Sequence, residues 1–151
     1  MAEPRFHATP QGNIPFTPEE EAEWDVREAA WEAEVVQRTK DAKLLALSSL
    51  AKEKEEADLD MGAGLVVTMS LEDRTRLINS LSLFGRKPTE TRRFKGVNGF
   101  TDIDKAGVEA IQDAFDARLT AITAQHEVHY NAINSLTTVQ EIVDYDITTG
   151  W

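Results

Sequence analysis

The chain has 151 residues, a formal net charge of −11 and no cysteine. That length allows one domain, or one domain with an arm, and the lack of thiols excludes disulfides and thiolate metal sites. The acidic balance argues against non-specific nucleic-acid binding, because a phosphate backbone would be repelled.

Residues 1–16 carry Pro4, Pro10 and Pro15 and no apolar period, which predicts an extended N-terminal arm that presents Phe6, Ile14 and Phe16 to a partner. Thr17-Pro18-Glu19-Glu20 is a helix start. Thr17 caps, Pro18 takes the first helical position, and Glu20 reaches back to close a capping box. A long acidic helix is predicted over 17–60, roughly 60 Å in length, with a place to bend at Ser48-Ser49. Trp24 and Trp31 are seven residues apart on it and Val35 lies one turn further, which predicts burial in an interface within or between chains.

Residues 61–101 read as a small α/β insert. Gly62 and Gly64 end the first helix, and Leu65 to Met69 reads as a strand. Ser70 caps a helix to about Leu83. The loop from Gly85 to Gly99 is basic, with Arg86, Lys87, Arg92, Arg93 and Lys95. Its end, Arg93 to Val97, is expected to pair with the strand at 65–69.

From Asp102 or Asp104 a second long helix is predicted to Leu136, roughly 50 Å. Val108, Phe115, Ile122 and Leu136 share one heptad position, and Leu119 and Ile133 share the other. His126 and His129 fall in that seam. A short helix from Val139 follows, capped by Thr137 or Thr138. The tail closes with Tyr145, Ile147 and Trp151.

The predicted architecture is therefore mainly α. Two long helices form an antiparallel, coiled-coil-like hairpin with the α/β insert between them, and residues 102–151 supply the second helix and a hooked tail. One such contact cannot bury both apolar stripes, so self-association is expected, with a trimer among the options.

The chemistry-bearing candidates are few. The histidines are three apart, not the four of a zinc-protease helix, so half-buried packing is favoured over a metal ring on an oligomer axis. The basic loop holds Phe94 and could grip phosphate or RNA, but pairing with the glutamate-rich first helix is the simpler reading. Gly96-Val97-Asn98-Gly99 reads as turn chemistry. Asp102, Asp104, Asp113 and Asp116 read as caps and solvated surface. No nucleophile, P-loop or paired acid–base set is found, so the reading is of no enzyme, no cofactor and no metal. No apolar run reaches spanning length and MAEPRFHATPQG lacks signal-peptide order, so the expectation is a soluble protein made in the cytoplasm with no membrane partner.

Phe16-Thr17-Pro18-Glu19-Glu20-Glu21-Ala22-Glu23-Trp24-Asp25 and Arg27 to Ala33 resemble the N-terminal part of bacteriophage tail-fibre assembly proteins, also called tail assembly chaperones. Ser70 to Arg74, Phe94 to Phe100 and Tyr145 to Trp151 are similar to a domain of unknown function from the same phage neighbourhoods. The resemblance implies a tail-fibre or baseplate protein as partner. It implies action in the host cytoplasm during assembly, or retention in the virion tail. The residues expected to form the partner interface are Phe16, Trp24, Trp31, Val35, Phe115, Ile122, Tyr145 and Trp151. The rival of a different class is a metal-dependent or nucleic-acid-acting phage enzyme built on His126, His129 and the basic loop.

Overall fold

The computed structural model describes residues 5–87 and 89–151, and the protein is mainly α with small antiparallel two-stranded sheets. It forms two compact units. The first is the chain up to Lys43 together with Leu136–Tyr145, and the second is Leu44–Ser135 with Asp146–Trp151.

The first unit corrects the predicted arm. Its residues 1–4 lie outside the described residues, but β1 (Phe6–Thr9) and β2 (Gly12–Pro15) make an antiparallel hairpin with Phe6 opposite Pro15 and Thr9 opposite Gly12. The turn is closed by the Thr9 hydroxyl donating to the Gly12 carbonyl at 2.6 Å, and Gly12 takes φ +124°, which disfavours any side chain there. Apolar alternation could not reveal this hairpin, because nearly all of its residues are exposed. Side chains from the next element hold it instead, as described below.

Helix α1 (Pro18–Glu56) runs unbroken for 39 residues, and Ser48 and Ser49 bond back to the carbonyls of Leu44 and Leu45 without interrupting it. Its start is the expected capping box: Thr17 N–H donates to Glu20 at 2.8 Å, and Glu20 N–H donates to the Thr17 hydroxyl at 3.3 Å. Helix α4 (Val139–Asp144) starts the same way, with Thr138 and Glu141 closing a second box. Ile142 on α4 is fully buried, and Lys43 donates to the Val143 carbonyl at 3.0 Å.

In the second unit, β3 (Leu59–Asp60) pairs with β4 (Val66–Val67) across a turn in which Gly62, Ala63 and Gly64 all have positive φ. Helix α2 (Leu71–Phe84) starts at Ser70, whose hydroxyl accepts from Asp73 N–H. Strands β5 (Arg92–Gly96) and β6 (Gly99–Ile103) form a hairpin around Val97-Asn98, and α3 (Lys105–Ser135) follows.

The expected pairing of 93–97 with 65–69 is thus replaced by two local hairpins. Two hydrogen bonds join them, Val97 N–H to the Val66 carbonyl at 2.8 Å and Asn98 Nδ2 to the Gly64 carbonyl at 3.3 Å. Gly96 permits that approach, since a Cβ there would lie 2.7 Å from the Val66 oxygen. The core is Val67, Met69, Leu77, Phe84, Ile103, Val108, Ile111 and Phe115. Each large side chain fully buried here contributes about 1.5–3 kcal/mol.

Three carboxylates at helix starts sit below their ordinary range. The Thr17 backbone N–H, then His7, lowers Glu20. The Thr137 backbone N–H, then Thr138, lowers Glu141. The Ser70 and Thr68 hydroxyls lower Asp73. A depressed folded-state pKa gives stability above the unfolded value that is lost as pH falls through the folded one. Both capping boxes should therefore open as pH falls from the ordinary glutamate value of about 4.3 through the lower folded-state values, fraying the starts of α1 and α4. Amide NMR shifts of Thr17 and Thr138 that stay constant over that range would contradict this.

Candidate protein-interaction surface

The first unit is built around ionic anchors. Arg5 donates to Glu21 at 2.9 Å and to Asp25 at 2.6 Å, and it also pairs with Glu28. These acids are spaced four and three apart on α1, so they form one ridge along the helix. The Asp25 carboxylate, ahead of Glu21, raises the Arg5 guanidinium above its usual value. His7 lies 3.0 Å from Glu20, and its ring stands against Phe16 with centroids 4.4 Å apart. Phe16 meets Trp24 edge-on at 6.0 Å. Arg5, His7 and Phe16 thus meet five side chains of α1 and fix the hairpin on the helix.

What remains uncovered is aromatic. Trp24 is 45% exposed and Trp31 is 61% exposed. The indoles are therefore not buried within the chain, which leaves an interface between chains as the other expected form. Phe16 stands against Trp24, and the Arg38 guanidinium lies 5.2 Å from the Trp31 ring centre. Phe16 and Val35 are half-buried on the same unit. Phe16, Trp24, Trp31 and Val35 therefore belong together as one surface feature of the first unit.

The other expected interface residues have different placements. Phe115 belongs to the core of the second unit, with the Arg74 guanidinium 4.9 Å from its ring centre. Ile122 is also buried, at 7% exposure. Neither is available as a partner surface, because the heptad seam of α3 is consumed by contacts inside the unit. Tyr145 is half-buried at the end of α4, its N–H bonded to the Glu141 carbonyl.

Trp151 is not a free hook. Its ring stacks on His129 at 5.5 Å, and its Nε1–H donates to the Ile147 carbonyl at 2.6 Å. His129 is buried in the seam position, and its Nε2 lies 2.9 Å from the Thr149 carbonyl. A carbonyl only accepts, so Nε2 carries the proton. Gln125 donates to the same oxygen at 3.2 Å. Gly150 makes the docking feasible, with φ +80° and a position where a Cβ would fall 2.5 Å from Gln125 Nε2. The polar seam residue thus serves to seat the tail. Its sequence signal was weak, since the acceptor is a main-chain carbonyl 20 residues away.

His126 is half-buried and borders a separate groove with Ser48, Ala51, Glu55 and Ile122. Among the described residues no three His, Cys, Asp or Glu side chains gather as a metal set, and no helix is long and apolar enough to cross a membrane. Comparison with known protein families, with curated proteins and with solved structures finds no match to this chain.

Proposed function

We propose that this chain is a non-enzymatic bacteriophage tail or tail-fibre accessory protein that acts by protein–protein contact. The observation that carries the reading is the pair of exposed indoles, Trp24 and Trp31, on one face of a helix braced by Arg5 and Phe16. Large aromatics held on a rigid element are the side chains that anchor protein interfaces, since they bury much area at little entropic cost. The resemblance of Phe16 to Ala33 to tail-fibre assembly proteins supplies the class of partner, a tail-fibre or baseplate protein.

Two further features belong to this reading. The C-terminal half of α1 and α3 pack as an antiparallel, coiled-coil-like pair, which is supported by the burial of Leu47, Ala51 and Ile122 and by hydrogen bonds from Arg118 to the end of α1. The protein also self-associates, because exposed apolar side chains such as Leu45, Leu71 and Ile78 exceed what one chain covers. It works in the host cytoplasm during assembly, or it stays in the virion tail as a structural piece. Mass spectrometry of purified particles separates these: a defined copy number assigns a structural piece, and absence assigns an assembly factor.

Trp24→Ala combined with Trp31→Ala should change stability by less than about 1 kcal/mol, as exposed sites do. The same variant should bind the cognate tail fibre about tenfold or more weakly in a pull-down titration. Undiminished capture would sink the role of the stripe.

A further inference from the structure

The basic segment before and within β5 is only partly neutralised. Lys87 pairs with Glu90 at 2.7 Å, and Arg93 lies 3.4 Å from Asp102. Among the described residues no carboxylate pairs with Arg86, Arg92 or Lys95. Arg92 differs from the others in being drawn inward. Its guanidinium lies over the Phe84 ring, 5.4 Å from the centroid, and its Nε is buried with no hydrogen-bond partner among the described residues. A desolvated N–H left without an acceptor is unfavourable, and a carboxylate arriving from outside would pair with the terminal Nη groups of the same guanidinium, which are not closed off, through charge-assisted bonds.

There is room for one. Arg92 borders a cavity of about 370 Å³ between α2 and the β5–β6 hairpin, lined also by Ser80, Arg93, Phe94, Ile103 and Val108. Aromatic and aliphatic walls beside the Arg92 guanidinium suit an acidic side chain, whose methylenes are apolar and whose end is charged.

The chain carries a matching surplus of acid. Along the N-terminal part of α1, Arg5, His7, Arg27 and Arg38 satisfy most carboxylates locally. Glu19 and Glu32 have no cation among the described residues. Glu19 lies in the first turn, where the helix dipole already favours it. Glu32 lies well inside the helix, exposed, with the small side chain of Ala29 one turn before it on the same face.

We propose that the Arg92 cavity of one copy receives Glu32 from α1 of a second copy. This deepens the self-association proposed above and rests on it. Donor and acceptor surfaces differ, so the contact is heterologous and builds rings or open chains rather than a two-fold dimer. Because the whole chain is acidic, copies repel at long range unless the basic cavity meets the acidic helix.

Sedimentation velocity over a concentration series tests the contact. Wild type should associate at low salt and dissociate in about 1 M salt, where the Debye length is about 3 Å. Arg92→Gln and Glu32→Arg should each weaken association by about tenfold or more. Glu32→Arg changes an exposed position, so it keeps the test valid if Arg92→Gln loses helical circular dichroism. Mixing Arg92→Gln with Glu32→Arg should restore a single contact, Glu32 of the first variant against Arg92 of the second, and give one-to-one dimers that grow no further. A wild type that stays monomeric at every concentration overturns both self-association and this contact. Association that neither variant weakens overturns the contact alone. Association lost in Arg92→Gln but kept in Glu32→Arg overturns Glu32 as the occupant.

Discussion

Replacing Phe84 with alanine is expected to destabilise the second unit by about 3–5 kcal/mol, the largest effect of any single truncation discussed here. Phe84 is the last residue of α2 and has no exposed surface. It shares the core with Val67, Met69, Leu77 and Ile103, drawn from β4, α2, β6 and the link between β4 and α2. Three separate elements would therefore line the cavity that the ring leaves, and none can collapse into it without losing contacts elsewhere. The substitution also removes the face on which the Arg92 guanidinium rests. Urea unfolding followed by circular dichroism should show a fall in midpoint with little change in slope. A loss below about 1 kcal/mol, the range of surface sites, would show that this core is misplaced.

The second large effect is expected at Arg118. The last carbonyls of any helix lack intrahelical partners, and at the end of α1 this side chain supplies them. Its Nη1 donates to the Ala57 carbonyl at 2.7 Å and the Asp58 carbonyl at 3.3 Å, and its Nη2 donates to the Lys54 carbonyl at 2.6 Å. A cation at a helix C-terminus also meets the negative end of the dipole. Arg118→Ala should cost about 2–3 kcal/mol, in the range for charged hydrogen bonds with allowance for partial exposure. Arg118→Lys should recover less than half of that, since an ammonium cannot span three carbonyls as the planar fork does. Hydrogen exchange gives the local reading: the Ala57 amide, bonded to the Glu53 carbonyl in the native helix, should exchange faster in both variants. Unchanged protection there would mean that the end of α1 is held by something else.

The exposure of Trp24 and Trp31 shows where periodicity misleads. Heptad spacing reports that two side chains share a face, and on α1 they do, but it does not report what covers that face. In the second unit the same kind of spacing was informative, because α2 and the β5–β6 hairpin do cover Val108, Ile111 and Phe115 of α3. His129 combines both lessons. The seam position predicted a half-buried ring and the ring is fully buried, while the reason a polar ring is tolerated there lies in the Thr149 carbonyl and the Trp151 indole.

By itself the sequence determined the helices and how they start, including the two capping boxes and the Ser70 cap, together with the Gly96–Gly99 turn. These depend on residues three or four apart, so the local chain contains the whole interaction. Tertiary structure decided everything held by distant partners. Arg5 lies 16 residues from Glu21, and that link converts a proline-rich stretch into a docked hairpin. Arg118 lies 64 residues from Lys54, and its bonds set how α1 ends. No periodicity records such pairs, because a guanidinium or a carbonyl carries no sequence sign of which distant group the fold will bring within 3 Å of it.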